Sequence, residues 1–300
     1  MELSGVLIVN KNEGMTSHDV VNRIRRLYGT RRVGHTGTLD PLATGVLVVL
    51  IGRAAKAAEY LTANTKEYIA TLRLGITTDT EDITGTVLTR SDTLPSPDEV
   101  KAACERFVGD IMQTPPMYSA LKVGGQKLCD LARRGVEVER EARPITVFSI
   151  DCEPTECESD YILRVSCSSG TYIRTLCADI GKSLGCGGAM ATLCRSRAGD
   201  FELGKSYTLD ALEQMSESER EAILCPIESL FSDLPTVYLP PFYEKLSRSG
   251  CEIYQKKIRT AYAVGQRVRL CSERKEFYAL GEVREYENGS AIKSIKLFDV

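Results

Sequence analysis

The chain has 300 residues, a formal net charge of −3, 43% apolar residues and 26% charged residues. This composition excludes extensive disorder, and the length allows one medium domain plus a small one. The charge argues only weakly against nucleic acid as a partner, because five arginines and no acid lie between Val21 and Thr36. An ordinary solvated helix face is the alternative explanation of that cluster.

Cysteine and histidine usage bears on metals and on compartment. The sequence has 11 cysteines, none spaced as C-x-x-C, and its two histidines are His18 and His35. A structural zinc site needs about four ligands at short paired spacings, so we expect no metal. We expect the cysteines to be small buried residues in a reducing compartment; an extracellular disulfide framework is the weaker alternative.

Membrane association is not expected. The longest apolar run, Val46 to Ile51, is far shorter than the roughly 20 residues of a membrane helix, and no targeting segment is recognisable. We therefore expect a cytoplasmic protein.

The first quarter of the chain predicts strand, helix, loop, strand and helix. Gly5 to Val9 is typical of a buried strand, and Thr16 caps a helix whose apolar residues recur at helical spacing as far as Gly29. A loop rich in glycine and threonine then leads to the buried strand Val46 to Ile51. Arg53 to Asn64 is alanine-rich and is predicted to be helical.

The middle of the chain predicts further strands and helices around one charged segment. Glu67 to Gly75 alternates between the two faces of a half-buried strand. Gln113 to Lys122 begins irregularly at its two prolines, and Gly124 to Arg143 predicts an exposed excursion. The other predicted elements are a helix from the capping box at Ser96 to about Phe107, a strand Tyr161 to Cys167, a helix Thr171 to Leu184 and a helix start at Thr208.

A linker is marked by Pro235, Pro240 and Pro241, and after it the residue pattern changes. Short β-like runs follow at Val268 to Cys271, Phe277 to Val283 and Ile292 to Phe298. We therefore predict an α+β (mixed α/β) fold with a first unit at residues 1–234, on a largely antiparallel sheet, and a small β-rich module at residues 235–300.

The loop Gly34 to Gly45 is the most informative stretch. It contains neither G-x-x-x-x-G-K-[ST] nor G-x-G-x-x-G after a strand, which argues against a nucleotide site. From the local pattern alone, a tight turn in which Thr36, Thr38 and Asp40 bond their own backbone explains the loop as well as a functional site does.

The sequence from Gly34 to Leu47, GHTGTLDPLATGVL, resembles the signature of the TruB-type tRNA pseudouridine-55 synthases. Other stretches resemble the family's motifs in the same order: Lys66 to Tyr68, Gly75 to Gly85, Gln113 to Lys122 and Gly170 to Thr175. The resemblance covers residues 5 to 204 well and the tail more loosely. It implies a pseudouridine-synthase catalytic domain followed by a PUA-like RNA-binding module.

The activity implied by this resemblance is the isomerisation of uridine 55 in the T loop of tRNA to pseudouridine. The same uracil leaves the ribose through nitrogen and rejoins it through carbon, so no cofactor or metal is implied. Asp40 matches the family's catalytic aspartate, acting as nucleophile or base toward the ribose. Arg174 matches the arginine that pairs with it, and we expect the pairing to offset the desolvation of the carboxylate. A surface ion pair is the alternative for Arg174.

The resemblance also implies residues that bind the substrate base. Tyr68 matches the tyrosine that stacks on the flipped uracil, although a strand tyrosine is otherwise half-buried packing. His35 matches a histidine that supports the flipped geometry in the RNA loop, although a lone histidine is more often structural. Leu193 matches an apolar residue beneath the base and would otherwise be core, and Tyr172 is expected to line the pocket.

The expected partner is tRNA, bound through its T-stem loop. The basic helix after Thr16 and the excursion, which is a mobile thumb at residues 124–143 in the family, are expected to grip phosphates. No protein partner is implied, and we expect a monomer.

Three positions depart from the family's pattern. Asn10-Lys11-Asn12 stands where Asp-Lys-Pro is usual, so a proline and an acid are lost from that loop. Cys194-Arg195 stands where a pair of arginines is usual, which removes one RNA or structural contact, and Cys129 stands where a tyrosine is common.

Two other functions compete with a stand-alone tRNA isomerase. One is a guide-RNA-dependent relative that works inside a ribonucleoprotein, against which the thumb-like excursion argues. The other is an RNA-binding or RNA-folding chaperone without chemistry. The joint presence of Asp40, Tyr68 and Arg174 argues against a chaperone, because binding alone does not need them as a set.

Overall fold

The computed structural model describes residues 3–61 and 65–298. In chain order its strands are β1 Gly5–Lys11, β2 Val33–His35, β3 Thr44–Ile51, β4 Lys66–Leu74, β5 Ile76–Thr78, β6 Val87–Arg90, β7 Gly109–Gln113, β8 Lys122–Val123, β9 Gln126–Lys127, β10 Arg143–Pro154, β11 Asp160–Cys167, β12 Gly188–Ala198, β13 Phe201–Glu202, β14 Tyr207–Thr208, β15 Thr236–Leu239, β16 Ile253–Tyr254, β17 Arg267–Ser272, β18 Phe277–Tyr286 and β19 Gly289–Leu297.

The helices lie mainly between these strands. They are α1 Ser17–Leu27, α2 Pro97–Glu105, α3 Leu128–Arg133, α4 Ile173–Ser183, α5 Leu209–Gln214, α6 Glu217–Ala222, α7 Pro241–Arg248 and α8 Gln255–Ile258, with 3-10 segments at Gly52–Tyr60, Leu203–Lys205 and Ile227–Phe231. Within residues 3–61 and 65–298, no helix has the length and apolar character that crossing a bilayer requires.

One large sheet carries the first two thirds of the chain. Its strand order is β14-β1-β3-β12-β4-β11-β10-β7, with β2 beside β3 and β13 beside β12. Neighbouring strands run antiparallel except at β1–β14 and β3–β12, which are parallel. The predicted α+β fold on a largely antiparallel sheet is confirmed.

The apolar sequence of β3 follows from its position. Leu47, Val49 and Ile51 face the core beneath α1, whereas Val46 and Val48 face a second core on the opposite side of the sheet. A strand covered on both faces has no polar side, which explains its unbroken run of apolar residues.

Several local predictions are confirmed by backbone and side-chain geometry. Thr16 caps α1 through a capping box, and Gly29, with φ at +59°, follows its end. Ser96 forms the predicted capping box on α2. In β4 the buried residues are Tyr68 and every second residue after it, which matches the predicted alternation.

The structure adds detail to two predictions. Arg53 to Asn64 is predicted to be helical; Gly52–Tyr60 is a helical segment of the 3-10 type, and residues 62–64 lie outside the described residues. Its N-terminus carries no side-chain cap, so the first turn has no local group that favours an α-helix. The excursion, residues 124–143, contains the short strand β9 and helix α3, and Leu128, the first residue of α3, is buried.

The C-terminal part of the chain, from Thr236 to Leu297, forms a separate sheet in the order β15-β17-β18-β19-β16. The predicted runs at 268–271, 277–283 and 292–298 correspond to β17, β18 and β19. Leu280 and Phe298 from this region pack with Val46 and Val48 of β3 in one apolar cluster. The division into domains at residue 234 and the PUA-like character of the second unit stay predictions.

Candidate active site

The loop that carries Asp40 lies where β3 and β12 meet. These strands pair in parallel through Thr44 with Cys194 and Gly45 with Arg195. Gly45 adopts φ of +97°, and a Cβ on it would lie 2.3 Å from the Arg195 carbonyl oxygen. Only glycine allows this close backbone approach, which fixes where the loop enters the sheet.

A buried lysine supports the same loop from below. Lys11 is fully buried, and its Nζ donates to the carbonyl oxygens of Asn12, Met15 and Pro41 at 2.9, 2.7 and 3.3 Å. Burial lowers the pKa of Lys11 to about 8. These hydrogen bonds join the loop that follows β1 to the loop that carries Asp40, although the usual proline at position 12 is absent.

Arg195 supports the loop from the side of β12. It is almost fully buried; its Nε donates to the Val46 carbonyl oxygen at 2.7 Å and its Nη2 to that of Gly37 at 3.0 Å. At this position the guanidinium therefore stabilises the fold of the loop that carries Asp40. Its partner in the usual arginine pair is Cys194 here, which is half-buried on the same strand.

Arg174 lies at the centre of an ion-pair network. It is only 5% exposed and stands in the first turn of α4, as predicted. Its Nε lies 3.0 Å from Asp40 Oδ2, and its Nη1 lies 3.4 Å from Asp82 Oδ2. Its Nη2 donates to the Tyr118 carbonyl oxygen at 2.7 Å. One guanidinium thus joins two carboxylates and the segment that precedes the excursion.

The Asp40 carboxylate faces the cavity, with 35% of its side chain exposed. Burial raises the pKa of Asp40 above its usual value, and this effect exceeds the opposing one from Arg174. Asp82 raises the pKa of Asp40 further through charge repulsion. The offset that we expected from Arg174 is therefore partial.

Asp82 was not among the predicted site residues. It is buried and accepts hydrogen bonds from Thr80 Oγ1 at 2.9 Å and from the Thr84 backbone N–H at 3.0 Å. These bonds hold its second oxygen toward Arg174. The resemblance of Gly75 to Gly85 to a family motif was the signal that marked this stretch.

A cavity of about 300 Å³ opens above Asp40 and Arg174. Tyr68 and Leu193 line it, each less than 10% exposed, and burial raises the pKa of Tyr68 so that its phenol stays protonated. The rest of the lining is Gly37, Thr38, Leu39, Lys66, Ser119, Ala120, Leu121, Gly170, Thr171, Tyr172, Ile173 and Arg195. Such a mixture of apolar walls and a few polar groups suits a flat polar ring.

Tyr172 is fixed in this lining by its backbone. The Gln113 side chain donates to the Tyr172 carbonyl oxygen at 3.0 Å and accepts from its N–H at 2.8 Å. Gln113 is buried and joins β7 to the start of α4. It too was missing from the predicted site.

His35 lies on β2, opposite Val49, and is not part of the cavity lining. Within the described residues, its buried Nδ1 has no hydrogen-bond partner. Burial lowers the pKa of His35, so the neutral ring is favoured at pH 7. The predicted site residues that line the cavity together are Asp40, Tyr68, Tyr172, Arg174 and Leu193.

Known protein families and relatives match this chain over almost its full length. Residues 25–173 match the model of the TruB family pseudouridylate synthase N-terminal domain, and residues 174–232 match that of the tRNA pseudouridylate synthase B C-terminal domain. The chain is 43% identical to tRNA pseudouridine synthase B of Alkaliphilus oremlandii (strain OhILAs) over 298 residues, which is 98% of each chain.

Two further similarities extend this result. The chain is 48% identical to tRNA pseudouridine synthase B of Dechloromonas aromatica (strain RCB) over 237 residues, 79% of each chain. Among solved structures, a Cbf5-Nop10-Gar1 complex contains a chain that matches with a TM-score of 0.76 and 27% identity, over 98% of this chain and 84% of that one.

Proposed function

The chain belongs to the TruB family of pseudouridylate synthases, and we propose from that premise that it isomerises uridine 55 in the T loop of tRNA to pseudouridine. Relatives that align over almost its full length are tRNA pseudouridine synthases B. The guide-RNA-dependent alternative is not favoured, because the Cbf5 matches are 25–27% identical against 42–48% for the tRNA enzymes.

One observation carries the assignment of the catalytic residue. Asp40 presents its carboxylate to a cavity of about 300 Å³ while Arg174 contacts the same carboxylate at 3.0 Å from the protein side. A carboxylate that is both accessible to a ligand and paired from behind is suited to act on a bound nucleotide.

The reaction needs no net change in composition. The bond between uracil N1 and ribose C1′ breaks, the base turns, and a bond forms between C5 and C1′. A proton leaves C5 and N1 gains one, so nothing is oxidised. Asp40 acts toward the ribose as nucleophile or base, and Arg174 stabilises its charge.

The walls of the cavity account for base binding. The target uridine has to leave its stack, at a cost of a few kcal/mol that contacts in the pocket offset. In this proposal Tyr68 stacks on the uracil, Leu193 lies beneath it and Tyr172 borders it. His35, outside the lining, acts on the RNA loop from which the base has flipped.

The remaining RNA contacts are proposed from charge and exposure. Three exposed arginines bind phosphates of the T-stem loop in this proposal: Arg26 on α1, and Arg31 and Arg32 in the segment that follows it. The excursion, residues 124–143, acts as the thumb, and the PUA-like module at residues 235–300 contacts the acceptor end. A monomeric, cytoplasmic enzyme stays a prediction.

The proposal is tested with a tRNA transcript in the absence of guide RNA. The parent protein is expected to form pseudouridine at position 55, and Asp40→Asn is expected to lower the rate by at least roughly 10²–10⁴-fold, because the amide is neither nucleophile nor base. The affinity of the variant for tRNA should stay close to that of the parent.

Three outcomes would contradict parts of this proposal. Product at an undiminished rate with Asp40→Asn removes Asp40 from the chemistry. Binding without product in the parent favours an RNA chaperone. Product that appears only after a guide RNA is added favours the ribonucleoprotein enzyme.

A further inference from the structure

Lys66 stands at the mouth of the cavity. It is the first residue of β4 and shares a strand face with Tyr68 and Ala70, because side chains two residues apart point the same way. Along this face Lys66 is half-buried, Tyr68 is 8% exposed and Ala70 is fully buried. The face therefore runs from half-buried Lys66, through Tyr68 in the cavity wall, to the buried core at Ala70.

The ammonium of Lys66 has an unusual electrostatic environment. Its Nζ donates to the Ser169 hydroxyl at 3.1 Å. A Cβ on Gly37 would lie 3.4 Å from Lys66 Nζ and 3.6 Å from Arg195 Nη1, so two cations flank the same glycine. Among the residues that the structure describes, no carboxylate forms an ion pair with Lys66.

This arrangement disfavours the charged lysine in the free protein. Burial and the neighbouring Arg195 lower the pKa of Lys66 to about 8. Arg195 also directs its own donors to backbone carbonyl oxygens, and within residues 3–61 and 65–298 neither it nor Lys66 forms an ion pair with a carboxylate. An anion that arrives with the substrate would complete the site.

We propose that Lys66 binds a phosphate group that flanks the target uridine when its base enters the cavity. This inference rests on the proposed function. A flipped nucleotide enters base first, so the base reaches Tyr68 and Leu193 while the sugar–phosphate backbone stays at the rim, where Lys66 lies. A compact ammonium is suited to such a contact.

The proposal predicts how affinity depends on pH. The titratable and charged groups that face Lys66 are Arg195 on β12 and Cys167 on β11, and burial raises the pKa of Cys167 to about 11. A phosphate binds only the protonated lysine. Affinity should therefore be greatest below pH 8 and fall as pH rises through 8, where Lys66 of the free protein loses its proton.

The test measures tRNA affinity in an Asp40→Asn background, which prevents turnover, from pH 7 to 9 and at several salt concentrations. Lys66→Met should weaken binding roughly tenfold at pH 7 and lower the slope of log affinity against log salt by about one. Between pH 7 and 9 the background protein should lose about fivefold in affinity relative to Lys66→Met, since about a tenth of Lys66 stays protonated at pH 9 and still binds the phosphate.

Two further variants control this experiment. Lys66→Arg keeps the positive charge at every pH used. Its tRNA affinity should therefore exceed that of Lys66→Met by the same factor at pH 7 and at pH 9. Lys101→Met removes an exposed lysine on α2, away from the cavity, and should change neither affinity nor its pH dependence.

Two results overturn the inference. In the first, Lys66→Met leaves the tRNA affinity and the salt slope unchanged, but lowers the single-turnover rate when it is made in the enzyme with Asp40 intact. Lys66 then acts on the base and not on a phosphate. In the second, Lys66→Met lowers the melting temperature and Lys66→Arg does not restore binding, which marks a structural residue. Failure of the proposed function is distinct, because the parent enzyme would then make no pseudouridine.

Discussion

Asp82 lies across Arg174 from Asp40 and so determines where the guanidinium points. Asp82→Asn removes one of its two anionic partners while keeping the shape of the side chain. We expect kcat to fall by roughly 10–100-fold, because a displaced Arg174 stabilises the reacting carboxylate less well. The affinity for tRNA should stay near that of the parent, since Asp82 is buried beneath the cavity.

A matched control for this variant lies three residues earlier. Asp79 accepts a hydrogen bond from the Thr86 N–H at 2.7 Å, in the same turn, and makes no ion pair with Arg174. Asp79→Asn should leave kcat unchanged. Equal losses of kcat in the two variants would mean that the turn, and not the ion pair, matters for turnover.

The raised pKa of Asp40 predicts the acid limb of the activity profile. The active form is the carboxylate, so activity is complete above the pKa of Asp40 and is lost as pH falls through it. Because burial raises that pKa, the loss should begin at a higher pH than the usual pKa of about 4 would give. The measurement is the pH dependence of kcat/KM, which reports the pKa of the free enzyme. A profile that stays flat down to pH 4 would contradict the prediction.

Among the elements of the fold, the junction of β3 and β12 positions the loop that carries Asp40. Gly45→Ala forces a Cβ against the Arg195 carbonyl oxygen in a backbone conformation that alanine rarely adopts. We expect a loss of about 1–3 kcal/mol in the free energy of unfolding, together with lower activity as the loop shifts. Thermal or denaturant unfolding and a single-turnover assay measure the two effects.

Gly204→Ala provides the comparison, because Gly204 has open space where the Cβ would lie and no positive φ. Its free energy of unfolding should change by about 0.5 kcal/mol or less. If Gly45→Ala were as well tolerated as Gly204→Ala, the tight approach of the two strands would not position the loop.

Local signals in the sequence predicted those elements whose reasons for folding are also local. The capping boxes at Thr16 and Ser96 and the alternation after Glu67 are confirmed because nearby residues supply the hydrogen bonds or the period that defines them. The strand β12 was not predicted, because its residues gain burial from β4 and β3, which lie more than 100 residues earlier in the chain. The periodicity of residues within a strand does not reveal which distant strands it pairs with.

The same distinction holds for the candidate site. A motif marked Asp40, and Arg174 was matched by resemblance, but Asp82, Gln113 and Lys66 acquire their positions only when distant segments meet. The direction of the pKa shift at Asp40 was beyond sequence reasoning for a related reason. It depends on how much protein surrounds the carboxylate, which the fold alone determines.

For the molecule as a whole, an apolar cluster joins the two sheets. Val46 and Val48 of β3 share it with Phe231, Leu280 and Phe298. The rings of Phe231, Phe277 and Phe298 stack and tilt against one another there, with centroid separations of 5.5 to 6.0 Å. Since β3 also follows directly on the loop that holds Asp40, the cluster connects the C-terminal sheet to the strand next to the candidate site.

This connection predicts that the two sheets unfold together. Phe298 is 3% exposed, and Phe298→Ala should lower the free energy of unfolding by about 3–5 kcal/mol, since it leaves a cavity in the shared cluster. Phe242→Ala removes a ring that is 67% exposed in the same part of the chain and should change stability by about 0.5 kcal/mol or less. Hydrogen exchange followed in both sheets distinguishes the possibilities: in Phe298→Ala, protection should fall by similar amounts in β3 and in β18. Loss of protection confined to β18, with β3 unaffected, would mean that the cluster does not couple them and that the C-terminal sheet opens without disturbing the catalytic loop.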